Sequence, residues 1–248
     1  MAVWAIGDLH LSFGIPNKSM DVFGARWHNH AHRIKEAWQA VVASDDLVLI
    51  PGDICWATNL TQARENLMWI DSLPGTKVLL KGNHDYWWPS SITKLMALAP
   101  PTCHFIHNNS FLWHEIVIAG ARLWDIPNIS FDAAIDFNPQ FDSQKEVQSI
   151  VESDKIYRRD LIRLETSLKS MPSSAQVRIA MTHYPPIGLH FEETEASRLL
   201  EKFDINICVF GHLHQTKPHI KLFGQHNGVH YYMVACDALD NFTPLKIL

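Results

Sequence analysis

The segment Val3-Trp4-Ala5-Ile6-Gly7-Asp8-Leu9-His10 sets a pattern that the rest of the chain repeats. A short apolar run stops at a glycine and meets an acid and an imidazole. The pattern returns in Leu47-Val48-Leu49-Ile50 before Pro51-Gly52-Asp53, and in Val78-Leu79-Leu80 before Gly82-Asn83-His84-Asp85. Further along, Val177–Met181 leads into Thr182-His183-Tyr184-Pro185-Pro186, and Ile207-Cys208-Val209-Phe210 into Gly211-His212-Leu213-His214. Short apolar runs with turn signals behind them read as strands buried on both faces.

Between the early runs the apolar period changes to that of a helix. Ile34, Ala37, Trp38, Val41 and Val42 form one such stripe, and Leu60, Ala63, Leu67, Ile70 and Leu73 another. A third runs through Val147, Ile150, Val151, Tyr157, Leu161, Leu164 and Leu168. Strand–helix–strand alternation implies βαβ units and a mainly parallel sheet. Cys103–Ala119 reads as a hairpin turning at Asn108-Asn109-Ser110, and Ile220–Phe223 with Val229–Val234 as a second around residues 224–228. The sheets are therefore mixed, with helices outside: an α/β sandwich. Leu11–Arg26 and Leu123–Ser143 are long for connections and read as loops that border a site.

Composition bounds the function. The chain has 248 residues, 47% apolar and 19% charged, with a net charge of −5. That suits a folded domain with a large core and argues against a general nucleic-acid surface. No apolar run approaches a membrane span, and Asp8 comes too early for a signal peptide. Cys55, Cys103, Cys208 and Cys236 are isolated, which suggests buried thiols in a reducing, cytoplasmic compartment.

The polar clusters all stand at the C-terminal ends of expected strands, where ligands bind in α/β sheets. They bring Asp8, His10, Asp53, Asn83, His84, Asp85, His183, His212 and His214 to one rim. Carboxylates gathered so closely repel unless cations compensate them. The donors exceed what one tetrahedral ion needs and suffice for two ions. Paired divalent ions stabilise in-line displacement at phosphorus.

In order and spacing, Asp8-Leu9-His10, Gly52-Asp53, Gly82-Asn83-His84-Asp85, His183 and Gly211-His212-Leu213-His214 resemble the signature of the calcineurin-like metallophosphoesterases. The resemblance spans residues 8–214. It implies a four-layer αββα sandwich of two mixed sheets, with residues 1–248 as a single domain. It implies that Asp8, His10 and His214 hold one metal, that Asn83, His183 and His212 hold another, and that Asp53 bridges them. His84 would face the phosphoryl group, with Asp85 orienting it through its other ring nitrogen. A hydroxide shared by the two ions would attack phosphorus. The donor set suits Mn²⁺, Fe, Zn²⁺ or Ni²⁺ over Ca²⁺ without choosing among them, and Mn²⁺ is the expected ion. The expected substrate is a small phosphodiester or nucleotide-like molecule. His84 stands where the bacterial UDP-diacylglucosamine pyrophosphatases carry Arg, which counts against that branch. The rivals are an interaction scaffold on the same fold and a phosphoprotein phosphatase.

Other residues read more plainly. His28, His30 and His32 read as an exposed helix start, and Arg158-Arg159 as a solvated helix face. Phe13, Phe23, Trp27, Trp56, Trp87 and Trp88 are divided between core packing and an aromatic wall facing substrate.

Overall fold

The computed structural model describes residues 1–126, 129–136, 150–217 and 223–248. Two sheets stack face to face. The first has the order β11-β1-β2-β3-β4, from β1 (Val3–Ala5), β2 (Leu47–Ile50), β3 (Thr76–Leu80), β4 (Cys103–Ile106) and β11 (Leu245–Lys246). The second has the order β5-β6-β7-β8-β10-β9, from β5 (Ser110–Trp113), β6 (Ile116–Ala121), β7 (Val177–Thr182), β8 (Ile207–Phe210), β9 (Gln225–His226) and β10 (Val229–Met233). Both sheets are parallel at heart. β11, β5 and β9 are the antiparallel members, paired to β1, β6 and β10.

The side-chain period of a strand builds the layers. Along β2, Leu47 and Leu49 point into the space between the sheets, where they meet Ile118, Ile179, Met181 and Val209. Val48 and Ile50 point the other way, into a core shared with Ile34 and Trp38 of α1 (His30–Val41) and Leu67 and Ile70 of α2 (Leu60–Asp71). On the far side, Val117, Ala119 and Phe210 pack with Leu161, Leu164 and Leu168 of α4 (Ile150–Lys169) and Leu200 of α5 (Glu195–Lys202). A short α3 (Ile92–Met96) lies before β4. This is the expected αββα order, and the strands are hydrophobic on both faces because both faces are covered.

Two of the helices, α2 and α5, begin where side chains satisfy free backbone donors. Asn59 Oδ1 accepts from Gln62 N at 3.1 Å before α2, and Thr194 and Ser197 form a reciprocal capping box before α5. Lys77, fully buried in β3, donates to the carbonyls of Asp71 and Leu73 at the end of α2 and to Thr102 Oγ1.

Both hairpin expectations need correction. β4 belongs to the first sheet and β5 to the second, so Asn108-Asn109 links the sheets. Asn109 closes that link, accepting from His107 N and donating to Phe105 O. The hairpin turns instead at His114-Glu115, between β5 and β6, with His114 left-handed at φ 52°. That turn carries none of the usual Gly, Pro or Asn signals. In the second hairpin Gln225 and His226 are strand, and Asn227-Gly228 is the turn. Residues 220–222 of the expected strand, Val147 of the expected helix and 137–143 of the second long loop lie outside the described residues.

Candidate metal centre

Each motif follows a strand, and the chain then bends sharply. Asp8, His10, Asp53 and His212 all have left-handed backbone, at φ 56°, 44°, 51° and 70°. Such conformations cost about 1–3 kcal/mol each and persist only where the surroundings hold them. Here Asp8 N donates to Gly52 O at 3.0 Å and His10 N to Asp53 O at 2.9 Å, so the first two motif loops lock together. The other loops close in by glycine. A Cβ at Gly82 would collide with Asp53, and one at Gly211 with the Asp8 carboxylate.

The result is a buried cluster. Asp8, His10, Asp53 and His183 are at most 3% exposed. His183 Nε2 lies 2.7 Å from Asn83 Oδ1 and 3.5 Å from Asp53 Oδ2. His212 Nδ1 lies 3.2 Å from the same Asn83 oxygen. His10 Nε2 lies 3.1 Å from His214 Nε2 and 3.6 Å from Asp53 Oδ2. His214 Nε2 is 3.6 Å from Asp8 Oδ1, and His84 Nε2 is 4.0 Å from Asp53 Oδ2. Two sets of donors have metal-binding reach here: Asp8, His10 and His214, and Asp8, Asp53 and His183, the atoms of each within 4.8 Å of one another. A third set, Glu193, Glu201 and His226, is at the surface beside α5 and β9.

Electrostatics show why this arrangement is unbalanced by itself. Burial, then the nearby Asp53, pushes the Asp8 carboxyl well above its usual range, against the pull of His214. Burial holds His183 down to about 3 and lowers His10 and His212 well below an ordinary imidazole. Their ring nitrogens are therefore free of extra protons near neutral pH. His10 Nδ1 is buried with no hydrogen-bond partner, while its Nε2 confronts the ring nitrogen of His214. Converging carboxylates and unprotonated imidazoles are what divalent cations require.

His214 behaves differently because of a residue that the motifs do not contain. Its Nδ1 lies 2.8 Å from Asp237 Oδ1, and Asp237 is 1% exposed. Burial alone would lower His214; the charges of Asp237, Asp8 and Asp53 reverse that and raise it to about 9. Asp237 Oδ2 also accepts from Gln215 N at 2.9 Å. The chain after β10 delivers it by crossing to the end of β1, with Gly7 N donating to Val234 O and Cys236 N to Gly7 O. No local spacing signals this pairing.

Asp85 does not orient His84. Its Oδ1 accepts from Ile54 N, Cys55 N and Trp87 Nε1, and its Oδ2 from Gly82 N at 2.8 Å. It ties the second motif loop to the third. Burial and then Asp53 raise it to about 7, against those donors. His84 Nδ1 is buried without a partner. The ring is 34% exposed and packs 4.5 Å from Trp56, whose indole also stacks on His10 at 5.1 Å.

The aromatic wall shrinks accordingly. Trp56 and the edge of Trp27, 6.0 Å from His10 and 5.7 Å from His214, border the cluster. Trp87 and Trp88 are buried in the core outside the first sheet, and Phe13 and Phe23 pack against that core. Lys18, in the first long loop, lies over Trp56. The histidine cluster at the start of α1 also splits. His28 and His32 are exposed, but His30 is buried with Nε2 3.1 Å from Leu9 O, which props the first motif loop.

A family model described as calcineurin-like phosphoesterase matches residues 1–216. The chain belongs to the calcineurin-like phosphoesterase family. The Gene 66 protein of Mycobacterium phage L5 is 37% identical to this phosphoesterase over 86 residues, 33% of the chain and 39% of that protein. The chain thus spans about two-fifths of the length of that curated relative. Among solved structures, the phosphopantetheinyl hydrolase of Mycobacterium tuberculosis superposes with a TM-score of 0.54 at 14% identity, covering 94% of this chain and 89% of the other. GAP50, the anchor in the inner membrane complex of Plasmodium, gives 0.50 at 10% identity, covering 96% and 72%. At these identities the two structures share the fold with the phosphoesterase. Among the described residues no helix is long and apolar enough to cross a membrane.

Proposed function

We propose that residues 1–248 act as one domain that hydrolyses a phosphoester bond in a small phosphodiester or nucleotide-like molecule with two divalent cations. The observation that carries this reading is the pair of buried carboxylates, Asp8 and Asp53, among imidazoles that burial keeps unprotonated. Asp8, His10 and His214 would hold one cation, and Asn83, His183 and His212 the other, with Asp53 between them. Asp8 reaches into both geometric sets and adds negative charge to both positions. Bound cations would activate water and neutralise charge on the phosphoryl oxygens; Mn²⁺ is the expected ion.

The chain's own groups do the rest. His84 projects from the rim of the cluster and offers Nε2 to a phosphoryl oxygen or a leaving group. Trp56 packs against the His84 ring and would border an organic leaving group. β10 and β11 lie beyond residue 216 yet pair with β8 and β1, which supports a single domain. Four buried, unpaired cysteines support a cytoplasmic setting, and the net charge of −5 supports a small substrate over a nucleic acid.

Stripping the protein of metal and restoring Mn²⁺ tests the reading against a chromogenic monoester, its bis-ester and a nucleotide pyrophosphate. Turnover is expected only with metal, and faster on the bis-ester or pyrophosphate. No turnover of any of them with two ions bound per chain would leave the scaffold reading. Asp237→Ala is expected to weaken one Mn²⁺ site by about 10- to 100-fold, the usual effect of removing a carboxylate behind a ligating histidine. Calorimetric Mn²⁺ titration checks this; two unchanged sites would mean that His214 is no ligand.

A further inference from the structure

Beside the candidate centre, three guanidinium groups share one carboxylate. Asp160, in α4, is fully buried. Its Oδ2 accepts from Arg122 Nε at 3.2 Å and Nη2 at 3.0 Å. Its Oδ1 accepts from Arg159 Nε at 3.3 Å and Arg163 Nη1 at 2.9 Å. Lys81 stands close enough for the charges of Arg122 and Arg163 to act on it. Among the described residues its ammonium makes no ion pair or hydrogen bond. The acids near this group of cations, apart from the proposed metal ligands, are Asp160, Asp85, whose charge also acts on Lys81, and Asp125, whose charge reaches Tyr184. Four cations against three acids leave a surplus of positive charge.

The group borders the Asn83–His183 side of the centre. Lys81 is the residue before Gly82-Asn83. Ala121 pairs with Thr182 across β6 and β7, and the Arg122 carbonyl accepts from His183 N at 3.1 Å and Tyr184 N at 3.0 Å. The Arg122 guanidinium lies 4.4 Å over Trp124, Trp124 packs on Tyr184, and Tyr184 lies 3.9 Å from the His212 ring. Arg122 is thereby rigid, while Arg159 and Arg163 remain 52% and 47% exposed.

Stability does not account for this arrangement. One guanidinium neutralises Asp160; two more half-exposed ones add repulsion and little binding energy. Surplus positive charge concentrates anions, and arginine forks match phosphate oxygens. We propose that Lys81, Arg159 and Arg163, backed by Arg122, bind a second phosphate of the substrate, which makes the natural substrate a molecule with two phosphoryl groups such as a nucleoside diphosphate derivative. The proposal rests on the reading of the centre as a phosphoester hydrolase.

The test is calorimetric titration of the Mn²⁺-loaded protein with AMP and with the non-hydrolysable α,β-methylene analogue of ADP. Both carry the same base and sugar. The analogue is expected to bind at least about 10-fold tighter than AMP. Lys81→Met and Arg163→Gln are each expected to lose about 10-fold for the analogue and less than about 2-fold for AMP, with bound metal unchanged. Equal affinity for the two ligands in the unmodified protein overturns the proposal, as do variants that weaken both ligands equally or neither. If only the hydrolase reading fails, the chromogenic esters are not turned over but the affinity difference persists. If only the second phosphate site fails, the esters are turned over while the two ligands bind alike.

Discussion

Asp53→Asn is expected to lower turnover by roughly 10³-fold or more, about 4 kcal/mol of transition-state stabilisation, and to reduce bound metal below two ions per chain. Asp53 Oδ2 is 3.5 Å from His183 Nε2 and 3.6 Å from His10 Nε2, one from each proposed ligand set. Its charge therefore serves both positions. Asparagine keeps the shape and keeps the acceptor for His84 N, which donates to Asp53 Oδ1 at 2.9 Å. The loops should hold. The metal-free variant should melt at or above the metal-free parent, because Asp53 raises the Asp8 carboxyl by repulsion and the substitution removes that repulsion. Loss of function with gain of stability is the mark of a site arranged for ligand rather than for folding. Metal content by elemental analysis, turnover and thermal melting together make the measurement. Full activity with two bound ions would overturn the bridging role.

His84→Ala is expected to keep both ions and lose roughly 10²- to 10⁴-fold in turnover, the range for a positioned acid–base group. His84 Nε2 is 4.0 Å from Asp53 Oδ2, farther than the nitrogens of His10 and His183. Burial lowers its pKa, while the charge of Asp53 pulls the other way. An arriving phosphoryl anion adds negative charge and favours the protonated ring. The deficit should shrink for substrates whose leaving group needs no proton, so a poor alcohol leaving group should suffer more than nitrophenol. Equal deficits for both leaving groups would limit His84 to binding the phosphoryl oxygens. Loss of an ion in this variant would make it a ligand.

The αββα layering was implied by the family resemblance. The inner strands, three helix periods and the motif residues were legible in the sequence itself. Each depends on local pattern. Leu47–Ile50 reads as a strand because its residues are apolar and β-rich, and it is buried on both faces as that pattern requires. The motif residues follow such strands directly, so the sheet carries them to one edge. The hairpin assignments failed where local signals mislead. Asn108-Asn109 is a turn, but it joins two sheets, and no local pattern says which sheet a strand will enter.

The partners of Asp85 and Asp237 belong to the tertiary structure alone. Asp85 sits beside His84 in sequence, yet backbone donors about thirty positions away and the Trp87 indole claim its oxygens. Asp237 is 23 residues from His214 and outside every motif. His30 and the helical cations Arg159 and Arg163 show the same division, since helix periodicity puts them on a face but does not say what that face meets. Sequence by itself determined the types of the main elements and the edge at which the motif residues gather, because these follow from the polarity and spacing of neighbouring residues. Only the tertiary structure decided which carboxylate orients which imidazole, because hydrogen bonds form between groups that distant segments bring together.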